Sequence, residues 1–440
     1  PKPRGAAMST APQEAGFDHS LAFLADPYRY ISSRCRELGS DLFETRILLQ
    51  PAICMSGPEA AAVFYDPERF QRAGAAPEPL QATLFGKGGV QGLDGAAHRE
   101  RKALFMKVVE PERVAALAGF VASEWWSAAR RWQDEDRVIL YQEVVQLLTR
   151  AVCTWAYVPL AEGEADKRSR QMARLFDEAA NSGAGHLRSR YARRRLEKWL
   201  ARLVGDIRDG RYAVPRGCAA EAVATHVDAD AQLLPAETAA VELLNVLRPT
   251  VAVAVFIVFA AHALHAHPEC LERLGGDDPD YEDAFVQEVR RYYPFFPAVA
   301  ARVRADFDWA GLHFPEGRLV LLDLYGSNRD PRVWEAPDAF RPERFLEHSP
   351  GAFDFMPQGG AEPYGNHRCP GEGIAVTLMR QAVGFLVRHL GYQVPMQDLR
   401  LDFSRLPALP CDGFILSEVR LRQAEARSRP QARSWPGANV

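Results

Sequence analysis

The stretch from Val241 to Leu264 constrains this chain most: it is predominantly apolar, yet an arginine and a proline, Arg248-Pro249, stand inside it. Its length raises the question of a membrane span. A guanidinium at mid-span is costly in hydrocarbon, whereas a core helix of a soluble protein carries the same pattern at lower cost. Such a helix needs a body that covers it on all sides. With 440 residues, 47% of them apolar, the chain can supply one. Pro235 suits a first-turn position, so the helix is expected to follow it and run to about Ala266.

Helical signatures dominate elsewhere. Leu196, Trp199, Leu200, Leu203, Val204 and Ile207 fall at the spacing of one apolar helix face. Residues 42–55 read as a hairpin that turns at Gln50-Pro51. Strand-like alternation returns at Phe307–Trp309 and Arg318–Leu324, between turn residues. A last helix opens after Pro370-Gly371. The expected fold is mainly α with a minor β portion, without internal repeats. Arg188, Arg190, Arg193, Arg194 and Arg195 are expected on the wet face of a helix.

Fifty-three basic and 57 acidic side chains leave a net charge of −4, which gives no electrostatic footprint for nucleic acid. Seven scattered cysteines without a C-x-x-C pair fit a reduced, cytoplasmic chain better than a disulfide framework or structural zinc. Pro1 to Thr10 contain no hydrophobic signal region.

Three places carry chemistry. Cys369 lies in a loop rich in glycine and proline just before a helix-forming run. Small residues let backbone approach a flat ligand, and a helix N-terminus favours a thiolate over a thiol. Such a sulfur serves as a nucleophile, a metal ligand or a haem ligand; an inert buried cysteine is the plain alternative. Glu288 and Arg291, three apart on a helix, can pair, and Arg341-Pro-Glu-Arg344-Phe345 follows. Each signal alone is weak, but their order is distinctive.

That order, E-x-x-R, then P-E-R-F, then a glycine-bounded cysteine, resembles the cytochrome P-450 superfamily from about Phe17 to Arg422. The resemblance implies a triangular helical body around a buried haem b. It makes residues 17–422 one catalytic domain, with 1–16 and 423–440 as flexible ends. By the same resemblance Cys369 is the axial iron ligand, and Glu288, Arg291 and Arg344 brace the haem loop. The loop departs from the usual pattern. Phe355 stands fourteen residues before the cysteine, and His367 occupies the place of an arginine that commonly pairs with a haem propionate. His367 or Arg368 can take that part.

The third place is Arg248-Pro249. No acid precedes a suitably placed threonine there, so the acid-alcohol pair that relays protons to dioxygen in ordinary members is missing. Pro249 lacks an N–H and is expected to bend the helix. Arg248 has no acid on its own face nearby, Glu242 being six positions away. Either a distant acid folds against it or the partner is an external anion.

The pair resembles the fatty-acid peroxygenase branch of the superfamily. That resemblance implies hydroxylation of long-chain fatty acids at the α, and next the β, carbon. Hydrogen peroxide would replace dioxygen and any obligatory redox partner. Arg248 and Pro249 would be catalytic, with Arg248 holding the substrate carboxylate and that carboxylate moving the peroxide proton. Gln91 matches a distal position where histidine accompanies decarboxylation to terminal alkenes, so glutamine favours hydroxylation. Phe85, Phe295 and Phe296 are expected along the substrate channel, with plain core as the rival reading. His98 and Lys102 match positions that reach haem propionates, against a solvated helix face. A reductase-dependent monooxygenase, an alkene-forming decarboxylase and a haem sensor or lipid carrier remain the alternatives.

Overall fold

A computed structural model describes residues 12–179, 183–228, 231–276 and 278–422. Its centre is the helix Ala236–Ala266, which alone among the described helices is long and apolar enough to cross a membrane. Protein covers it instead: 94% of its most apolar 18-residue window is buried. The helices Leu140–Ala156, Ala184–Arg208 and Glu372–Gly384 pack against it. Pro235 is the capping residue itself, one position ahead of the expected first turn. Pro249 removes one backbone donor, but the helix continues through it to Ala266. Burying a leucine or isoleucine in such a core is worth about 2–5 kcal/mol against alanine, so this all-round apolar helix fixes the fold around itself.

The minor β portion includes a five-stranded sheet in the order Leu42–Ile47, Gln50–Met55, Leu319–Asp323, Ala298–Val303, Phe70–Gln71. Its pairings are antiparallel except between Gln50–Met55 and Leu319–Asp323. The first hairpin turns at Leu48-Leu49, not at Gln50-Pro51, which begins the second strand. Both leucines have positive φ, 53° and 60°, a geometry usually given to Asn-Gly. Two anchors hold them: the Leu48 N–H donates to Ser20 Oγ at 2.6 Å and the Leu49 N–H to Asp18 Oδ2 at 2.7 Å.

The ordered body also starts before the expected Phe17 boundary. Glu14 is buried, accepting from Thr45 Oγ1 at 2.7 Å and from Tyr30, and pairing with Arg34 at 2.7 Å. Residues 1–11 and 423–440, the greater part of the expected flexible ends, lie outside the described residues.

Candidate active site

The cysteine loop is pinned from three directions. The Cys369 N–H donates to Gln358 O at 3.1 Å, and the helix Glu372–Gly384 starts just beyond it. Burial raises the thiol pKa, while the Gly371 N–H, Lys102 and Arg248 favour the thiolate. A buried sulfur with these neighbours loses its proton once a cation binds it.

Behind the loop, Glu288 and Arg291 are both fully buried and joined by paired 2.7 Å contacts. Arg344 Nε reaches Glu288 Oε2 at 3.2 Å. Arg291 also donates to Asn328 O at 3.1 Å, and Asn328 Oδ1 accepts the Met356 N–H at 2.7 Å. The cluster is thereby tied to the strand of chain that leads into the cysteine loop. A second brace escaped the sequence reading: Glu372 takes Arg368 Nε at 2.6 Å and pairs with Arg290, which also donates to Gln358. Its signal was the acid three residues after Cys369.

Arg248, on the helix Ala236–Ala266, is 6% exposed. Among the described residues no acceptor takes a hydrogen bond from it, and its Nε is buried without a partner. Burial pushes its pKa down to about 9, with repulsion from Arg193 added and attraction from Cys369 opposing. The distant-acid alternative therefore fails among the described residues. Glu242 pairs with Arg101 at 2.6 Å and accepts from Asn245 at 3.1 Å. Asn245 also donates to Gln91 Oε1 at 3.2 Å. Thr250, the alcohol beside the arginine, donates to Val246 O at 2.9 Å and so is engaged by the helix itself.

His98 and Lys102 are buried, not on a solvated face. Lys102 Nζ donates to the carbonyl of Asn366 at 2.8 Å and to that of Arg368, and desolvation pushes its pKa down to about 8. His98 stacks on His367 with ring centroids 3.9 Å apart; burial, with repulsion from His367 and Lys102 added, pushes its pKa down to about 3. His367 stands 3.7 Å from Asp94. Of the three phenylalanines, Phe295 is buried against Phe256 and Phe85 is half-buried on the main core. Phe296 touches Phe295 and reaches the surface, 36% exposed. Arg193 departs from the expected wet face, since it is buried while Arg194 and Arg195 are exposed.

Among the described residues no three His, Cys, Asp or Glu side chains converge as around a bare metal ion. Cys369 stands as a single protein donor, which suits a metal that brings its other donors with it. Haem fits that requirement, with the basic groups Lys102, His98 and His367 beside the loop as partners for its carboxylates.

The comparisons agree. A family model for cytochrome P-450 matches residues 279–415. The solved structure of cytochrome P450SP alpha (CYP152B1) in complex with (R)-ibuprophen is 50% identical, with a TM-score of 0.91 over 92% of this chain and 100% of that one. Cytochrome P450EX alpha (CYP152N1) with myristic acid is 40% identical, with a TM-score of 0.91 over 94% and 100%. A curated relative, trimethyltridecatetraene synthase of Zea mays, is 38% identical over 131 residues, 27% of this chain and only 23% of that protein. The chain thus belongs to the cytochrome P-450 family, the haem-thiolate class that its fold and cysteine loop define. Within that family it falls in the fatty-acid peroxygenase branch, beside the CYP152 structures, as Arg248-Pro249 had indicated.

Proposed function

We propose that this protein hydroxylates long-chain fatty acids at the α carbon, with the β carbon next in reach, using hydrogen peroxide without an obligatory redox partner. The observation that carries the reading is Arg248, a buried guanidinium without a protein partner, close enough to Cys369 for their charges to interact. An uncompensated buried cation is expensive, and a substrate carboxylate is the complement that removes the expense. P450EX alpha was solved with myristic acid, and P450SP alpha with another carboxylic acid, (R)-ibuprophen.

Haem b would be held by Cys369 through its iron, with Lys102, His98, His367 and Arg368 as candidates for its carboxylates; when bound it supplies peroxide activation and C–H oxidation. The protein's part is position and charge. Arg248 fixes the carboxylate, so the carbons next to it are the ones presented, an orientation effect. The carboxylate is then the base at hand to accept and return the peroxide proton. Thr250 cannot take that part while its hydroxyl is given to Val246 O. Gln91, Asn245, Glu242 and Arg101 are joined in one chain of hydrogen bonds.

The test is product analysis with purified haem-loaded protein, myristic acid and hydrogen peroxide, with no reductase or nicotinamide. Hydroxymyristic acid with the hydroxyl at the α or β carbon is expected. No product, but turnover with electron-transfer proteins and NADPH, would overturn the reading in favour of a conventional monooxygenase.

A further inference from the structure

The arginine-rich segment holds one member that is turned into the protein, and the function above does not use it. Arg193, on the helix Ala184–Arg208, is 2% exposed. Its Nη1 donates to Thr83 O at 3.0 Å and Leu84 O at 2.9 Å, its Nη2 to Phe85 O at 3.2 Å, and its Nε to Glu197 Oε1 at 2.6 Å. Those three carbonyls end a single turn, Gln81–Phe85, after which the chain reverses at Gly86, φ 85°. The last carbonyls of a helical turn have no partners within it, and a cation placed there satisfies them. Here that cation arrives from a helix more than a hundred residues later in the chain. It lies so close that a Cβ on Gly86 would meet Arg193 Nη2 at 2.0 Å. Phe85 is the last residue of the capped turn and packs, half-buried, on the main core.

We infer that Arg193 is a positioning residue that latches the Gln81–Phe85 turn to the helix Ala184–Arg208 and so sets where Phe85 stands in the substrate pocket. This rests on the proposed fatty-acid substrate and on the sequence expectation that Phe85 lies along its channel. Glu197 orients the guanidinium, and the three carbonyls fix the height of the turn. Lysine at this position keeps the charge but lacks the fork that spans several acceptors. Arg193→Lys therefore loosens the turn without leaving it uncapped. The pocket loses its fixed wall, and myristic acid binds less well although Arg248 is untouched.

The test is a double-substitution cycle on the haem-loaded protein, read by the change in haem absorption on titration with myristic acid in the absence of peroxide. Arg193→Lys is expected to weaken binding about tenfold, and Phe85→Ala to weaken it as well; such coupled sites depart from additivity. In the Phe85→Ala background, Arg193→Lys should then cost less than about twofold, because the side chain it positions is gone. Equal effects in both backgrounds, or no effect of Arg193→Lys in either, would overturn the latch. Product analysis with peroxide is separate. Wild-type protein that binds myristic acid but yields no hydroxy acid would sink the catalytic reading while the binding cycle still decides the latch. Arg193→Met, which keeps the bulk of the stem and removes every donor, should exceed Arg193→Lys in the same binding assay.

Discussion

Arg291 and Arg248 are both buried arginines, and the difference between them separates scaffold from site. Arg291 presents five N–H groups to five acceptors: the two oxygens of Glu288 and the carbonyls of Asn328, Pro337 and Ala339. Nothing is left over, so that side chain can only hold the structure together. Arg248 gives no hydrogen bond to the described residues, and its buried Nε has no partner at all. A satisfied buried charge is a strut, whereas an unsatisfied one awaits a ligand of opposite charge. The same residue type has opposite meanings because the acceptors are present in one place and absent in the other.

Removing the acid from the satisfied cluster should have the largest effect. Glu288→Ala leaves Arg291 and Arg344 buried without their carboxylate, which should destabilise the protein by about 3–5 kcal/mol. Chemical unfolding and the haem content of purified protein would show it. A change below about 1 kcal/mol would mean that the cluster is not the strut it looks like.

The contrasting substitution is Arg248→Leu. Deleting a buried cation that has no protein partner relieves desolvation, so stability should hold or rise slightly. Affinity for myristic acid should fall about a hundredfold or more, since a buried charge pair with the substrate is lost. Parallel melting and titration curves check both halves. Loss of stability comparable to Glu288→Ala would erase the distinction between the two arginines.

Lys102 lies between these extremes, because its ammonium has two carbonyls but no acid. Its folded pKa is lowered to about 8 from an ordinary 10.5. Between those values the unfolded chain binds more protons than the folded one, so stability rises with pH across that window. In haem-free protein the rise should be on the order of 2 kcal/mol relative to Lys102→Met. Haem carboxylates beside Lys102 would restore its pKa and flatten the slope, so pH-dependent unfolding with and without haem tests that assignment. A slope unchanged by haem would remove Lys102 from the propionate set.

How far the sequence disclosed these sites depends on whether the partner lies nearby in the chain or across the fold. Glu288 and Arg291 share a helix turn, and Arg248 is conspicuous because everything around it is apolar, so both were legible. Arg193 was not, since five arginines stand together and only carbonyls more than a hundred residues away select one for burial. The Arg290–Glu372 pair was hidden for the same reason. Phe296 looks like its neighbour Phe295, and the strand that begins at Ala298 leaves one ring in the core and the other at the surface. The turn at Leu48-Leu49 defies local preference because Ser20 and Asp18, far back in the chain, hold it.

The smallest expected effect falls two residues beyond Arg248. Thr250 occupies the stretch where ordinary members of the family carry the alcohol of a proton relay, and its hydroxyl is already donated to Val246 O. Thr250→Val removes the hydroxyl with little change of shape. The lost bond is an internal one to a carbonyl that the helix also uses, so stability should change by no more than about 1 kcal/mol. Peroxide-driven turnover of myristic acid should change less than about twofold if the carboxylate held by Arg248 moves the proton. A tenfold loss of turnover at unchanged myristic acid affinity would show that the hydroxyl leaves Val246 during catalysis. The line between satisfied and unsatisfied groups would then have to be redrawn through this helix, with Thr250 on the reactive side.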